Sequence, residues 1–145
     1  MKLFIILFIS LNILNVTLGA RQFLHKLLED NSVKCHNKGN DIFVKACLSL
    51  QKLNMYVYDD YLGSHLLGAV QDQTNRILSV VQERPKRDFK QIEDCLTNFK
   101  TGVKTYRREA FLEYKKDKSR SKDIIHSFTV NVQKVADGAL HCIAG

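Results

Sequence analysis

The placing of the four cysteines constrains this chain more than any other feature. Cys35 and Cys47 lie equally far from residue 41, beside the turn-like run His36-Asn37-Lys38-Gly39-Asn40-Asp41. Cys95 and Cys142 lie equally far from the middle of the charged run 115–122. A chain that reverses direction at each run brings each pair to equal depth on two antiparallel segments, which is what a disulfide with Cα atoms about 4.4 to 6.8 Å apart needs. Among the connectivities open to four cysteines, the symmetry favours Cys35–Cys47 with Cys95–Cys142. The rival is the nested set, Cys35–Cys142 with Cys47–Cys95.

The N-terminus supplies a reason for the cysteines to be oxidised. Lys2 is followed by the apolar stretch 3–14 and then by Thr17-Leu18-Gly19-Ala20. One charge, an apolar stretch too short to span a bilayer and small residues at its end have the form of a secretory signal peptide. We expect cleavage after Gly19 or Ala20, making residues 1–20 a signal peptide and residues 21–145 a single secreted helical domain with no transmembrane segment. In an oxidising compartment an even cysteine count reads as disulfides. The sequon Asn15-Val16-Thr17 leaves with the leader, so no N-glycan is expected.

Downstream, apolar residues recur at threes and fours, the period of an amphipathic helix. Phe23, Leu24, Leu27 and Leu28 mark a short helix ending near Asn31-Ser32. Asn40 or Asp41 can cap the next, with Phe43, Ala46, Leu50, Leu53 and Val57 on its face. The alternating run Tyr56-Val57-Tyr58-Asp59-Asp60-Tyr61, followed by Gly63, predicts a break between Asp59 and Ser64. Helix then resumes through Leu66, Leu67, Val70, Ile77, Val80 and Val81, and stops before Arg84-Pro85, where proline disfavours helix in the residue preceding it.

Asp88 with Gln91 has the form of a capping box. It opens a helix of about 28 residues, some 42 Å long, whose face is Phe89, Ile92, Leu96, Phe99, Val103, Tyr106 and Ala110, extended by Phe111 and Tyr114. Run 115–122 has no apolar residue and predicts the turn. Ser121 or Asp123 starts the last helix, with Ile125, Phe128, Val132, Val135, Ala139 and Cys142 on its face. Thr129, Val130 and Val132 are β-branched and favour strand individually, but the helical period outweighs them. The expected fold is all-α: an antiparallel helical bundle of four to five helices with two disulfides, in which hairpin 88–143 packs on element 41–83.

Catalytic signatures are missing from the sequence. There is no nucleophile elbow, zinc-protease helix, phosphate loop or Cys-x-x-Cys. His25, His36, His65, His126 and His141 are scattered, and no nucleophile completes an activated set with any of them. Cys35-His36 and His141-Cys142 do not fit a zinc module, because adjacent helical residues point about 100 degrees apart. We therefore expect a non-enzymatic protein with no metal and no cofactor.

Binding is the remaining class, and charge points to where. The chain holds 22 Lys and Arg against 15 Asp and Glu, and 13 of those cations but only 6 of the acids fall between 84 and 122. Lys104, Arg107, Arg108, Lys115, Lys116, Lys118, Arg120 and Lys122 form a candidate anion-binding ridge, interrupted by Glu109 and Glu113. Such a ridge suits an extracellular protein or a polyanion such as a glycosaminoglycan, and secretion argues against nucleic acid. A second candidate is a pocket for a small apolar ligand, lined by Phe43, Tyr56, Tyr61, Phe99, Tyr106, Phe111 and Phe128.

Two modification signals complete the reading. Arg84-Pro85-Lys86-Arg87 resembles a furin-type processing site, with Arg84, Lys86 and Arg87 as its basic positions. Tyr56, Tyr58 and Tyr61 beside Asp59 and Asp60 form a weak tyrosine-sulfation context. The leading expectation is a secreted binder of a macromolecular partner, in the style of a cytokine-like factor or an effector of saliva, venom or reproductive fluid. The alternative is an extracellular carrier of a small apolar ligand.

Overall fold

The computed structural model describes Cys35 and residues 41–54, 60–83 and 88–145. The expected signal peptide, the short helix before Asn31, the turn residues 36–40 and the processing run 84–87 lie outside them. The described residues belong to one compact unit, Cys35–Gly145. Among them are four α-helices and no strand. These are α1, Asp41–Gln51, followed by the 3-10 turn Lys52–Asn54; α2, Asp60–Glu83; α3, Phe89–Lys116; and α4, Ser121–Ala144, reached through the 3-10 turn Lys118–Arg120.

Local chemistry sets these ends. Asp88 is extended, and its carboxylate accepts the Lys90 backbone N–H at 3.2 Å, capping α3 as the sequence predicts. At the other end the Asp117 backbone N–H donates to the Glu113 carbonyl at 3.0 Å. The Asp117 carboxylate turns forward to accept the Ser119 backbone N–H at 2.9 Å and the Ser119 hydroxyl at 2.6 Å. One expectation is corrected here. Only the middle of run 115–122 is turn, because α3 keeps Lys115 and Lys116. Helix α4 starts at Ser121, one of the two expected starts; Arg120 before it makes no side-chain cap bond, and Asp117 caps the 3-10 turn that leads into it.

Both disulfides join the pairs expected from the symmetry. Cys35–Cys47 and Cys95–Cys142 each have Cα atoms 5.7 Å apart. The second ties the first turns of α3 to the last turn of α4, so these helices run antiparallel. They approach so closely that a Cβ on Gly102 would lie 2.8 Å from Cγ1 of Val135. Helix α4 packs on both α2 and α3, and α1 packs on the same two helices. Leu50, Leu62, Ile77, Ile92, Leu96, Phe99, Val103, Val132 and Ile143 fill the shared core.

The stripe of α4 differs from the expected one. Ile124, Phe128, Val132, Ala136, Ala139 and Ile143 are buried. Ile125 and Val135 sit at the margin, and Cys142 is exposed although its partner Cys95 is buried. The physical reason is that α4 serves two neighbours, so its buried stripe, about 120 degrees wide, keeps Phe128, Val132 and Ala139 and takes the other member of each adjacent apolar pair. The expected break between Asp59 and Ser64 does not fall within its described residues, 60–64. Helix α2 already begins at Asp60 and runs through a buried Gly63, held by Leu62, Leu66 and Val70 at intervals of four. Among the described helices none is long and apolar enough to cross a membrane.

Candidate functional site

The outer face of α3 carries most of the candidate ridge, and the helical period sorts its charges. Arg107 follows Val103 by four residues and precedes Ala110 by three, so it falls on the buried stripe and is only 8% exposed. Its guanidinium donates to the backbone carbonyl of Leu53, in the turn after α1. The sequence places Arg107 on the ridge; the structure turns it into the core, because a long side chain there can satisfy a buried carbonyl that no helix bond reaches.

Lys104, Arg108 and Lys115 lie about 60 to 100 degrees round the helix from Arg107 and are exposed. At about 100 degrees per residue they fall within about 40 degrees of one another, spread over roughly 16 Å of the helix. Glu109 and Glu113 do not interrupt this line. They face α4, lining with Tyr106, Ser127 and Asn131 a small recess of about 30 Å3 at the seam. Among the described residues no ion pair engages Lys104, Arg108, Lys115, Lys116 or Lys122. Elsewhere cations do find partners: Lys100 reaches Glu93 at 3.5 Å, and Arg76 reaches Asp137 at 3.1 Å.

The turn beyond α3 is more ordered by side chains. Lys118 lies 5.8 Å from the ring centroid of Tyr114. The hydroxyl and backbone bonds from Ser119, with Arg120 nearby, hold the Asp117 carboxyl below its usual range. Arg120 and Lys122 are exposed on this turn and the start of α4.

Five of the candidate pocket aromatics share the packed core rather than lining a chamber of ligand size; Tyr106 and Phe128 border only the recess of about 30 Å3 at the seam. Phe43, Phe99 and Phe128 are core residues, Tyr106 and Phe111 are half-buried beside them, and Tyr61 is exposed on the first turn of α2. Tyr56 lies outside the described residues. A groove of about 430 Å3 does run between α2 and α4, but Ser64, His65, Gly68, Ala69, Asp72, Ile125 and Thr129 line it. None of the predicted aromatics is among them. His65 packs at a tilt against Tyr61, ring centroids 4.6 Å apart, with Nδ1 placed 2.8 Å from the Tyr61 carbonyl, so that ring is engaged by its own helix.

Among the described residues no group of three or more His, Cys, Asp or Glu side chains is arranged to hold a metal ion. The candidate processing residues Arg84, Lys86 and Arg87 lie outside the described residues. Both disulfides close on one side of them, so neither would link the halves of a cut chain. The chain matches no protein family, no curated protein and no solved structure.

Proposed function

We propose that this chain is a secreted, non-enzymatic protein whose helices form an antiparallel bundle of four to five, and which acts by binding a macromolecular partner through its exterior. One observation carries the reading. Phe43, Phe99 and Phe128 are spent on packing, while the strongest exposed chemistry is a set of cations, Lys104, Arg108, Lys115, Lys116 and Lys122, with no ion pair among the described residues. Burial of Phe43, Phe99 and Phe128 favours a filled interior over a cargo chamber.

Two disulfides support an oxidising destination, and the apolar leader supports the secretory route. The groove between α2 and α4 is where the rival reading, a carrier of a small apolar ligand, would seat its cargo. It is an open groove rather than an enclosed chamber, which suits that role poorly.

The test is expression of the whole chain, leader included, in a eukaryotic secretory cell. The reading expects protein in the medium, starting at Ala20 or Arg21, with peptides linking Cys35 to Cys47 and Cys95 to Cys142. Retention in the cell with the leader attached would overturn it.

A further inference from the structure

Like charges on neighbouring turns of a helix repel. Lys104 and Arg108 stand at i and i+4, an arrangement that destabilises a helix unless something compensates it. On α3 no acid stands three or four residues from Lys104, Arg108 or Lys115 to compensate them. Glu109 and Glu113 lie at the seam with α4, and the outward line Lys104, Arg108, Lys115 is left with no ion pair. The exposed hydroxyl residues Thr101 and Thr105 border the same line.

We infer that this line is a docking surface for a sulfated glycosaminoglycan, a partner class that rests on the secreted-binder reading above. Three features select it. The cations are collinear along a rigid rod, about 6 Å and then about 10 Å apart along the axis, which suits a linear polymer carrying regularly spaced anions. Leu112 is the lone large apolar side chain exposed on α3, too little for the buried apolar centre of a protein interface or for insertion into a lipid surface. Threonine hydroxyls and lysine and arginine donors match sulfate and carboxylate acceptors.

The surface is narrower than charge counting along the sequence suggests. Arg107 is withdrawn into the core, and Lys116 lies on the side of α3 that carries Glu109 and Glu113, about 80 degrees from Arg108. Lys104, Arg108 and Lys115 are the contacts that decide affinity.

The experiment uses the mature, disulfide-bonded protein and a fluorescent heparin oligosaccharide, titrated at several salt concentrations. Lys104→Ser/Arg108→Ser is compared with a charge-matched control, Lys52→Ser/Lys134→Ser, both checked for unchanged helicity. Wild-type binding that weakens steeply with salt, about tenfold weaker in the first variant and within twofold in the control, is the expected result. Equal losses in both variants would reduce the effect to net charge and overturn the site. Absence of wild-type binding, or tighter binding to phosphatidylserine vesicles or to a single-stranded oligonucleotide, would overturn the partner class. None of these outcomes touches secretion or the absence of a bound small molecule, which are measured separately.

Discussion

The guanidinium of Arg107 on α3 donates to the backbone carbonyl of Leu53, joining the long helix to the turn that ends α1. Leu53 is itself almost fully buried, so its carbonyl has no recourse to water. Replacing Arg107 with Met keeps most of the packed stem and strands that carbonyl. A buried unpaired acceptor costs about 1 to 3 kcal/mol. Arg107→Met should lower stability by about that much in a urea titration and leave heparin affinity within twofold of wild type. A drop in affinity with stability intact would return Arg107 to the binding surface.

Two glycines in helices should respond with opposite sign. Gly102 faces the β-branched Val135, whose Cβ would lie 3.2 Å from an added methyl. Overpacking of this kind costs about 1 to 3 kcal/mol and exceeds the gain of about 1 kcal/mol in helix propensity. Gly138 has open space around it. Gly102→Ala should therefore lower the melting temperature, and Gly138→Ala should raise stability by about 0.5 to 1 kcal/mol. A stabilising Gly102→Ala would mean that α3 and α4 are not held this close.

The disulfides close loops of different size, with separations of 12 and 47 residues. In the chain-entropy account the shorter stabilises by about 3 kcal/mol and the longer by about 4. Cys95→Ala/Cys142→Ala should be the more destabilised variant in thermal melts. Cys142 is exposed, so this bond should also be the first that a mild reductant opens. Unchanged melting of the double variant would contradict the pairing.

Much of this was legible because the period of an amphipathic helix and the mirror placing of cysteines are both properties of the chain itself. Asp88 announced its own cap. What failed did so where two readings share one period. Ile124 and Ile125, Val135 and Ala136, and Cys142 and Ile143 are adjacent apolar pairs, so threes and fours can be threaded through either member. Only the positions of α2 and α3 choose between them. Arg107 was misplaced because its charge was counted with Lys104 and Arg108. Its spacing from Val103 and Ala110 was the signal that could have found it. The pocket aromatics were grouped by residue type, and type alone does not distinguish packing from lining.

Asp117 gives the turn between α3 and α4 its pH dependence. The Ser119 hydroxyl and backbone N–H hold its folded pKa below the unfolded value. A depressed carboxyl contributes stability that is complete above the unfolded pKa and lost as pH falls through the folded one. The turn should be indifferent to pH near neutrality and weaken only below the ordinary carboxylate range. Carbon-detected NMR titration should show Ser119→Ala moving Asp117 upward. An unmoved titration would remove the hydroxyl as the main cause.

The proposed surface binding and the rival carrier reading are separated by one measurement, native mass spectrometry of the protein recovered from culture medium, set against its denatured, unreduced mass. The account predicts the same mass in both, that of a chain beginning at Ala20 or Arg21 and lighter by the hydrogens given up in two disulfides. Extra mass present in the native spectrum and gone after denaturation would reveal a small molecule carried inside, and would contradict a protein that works through its surface.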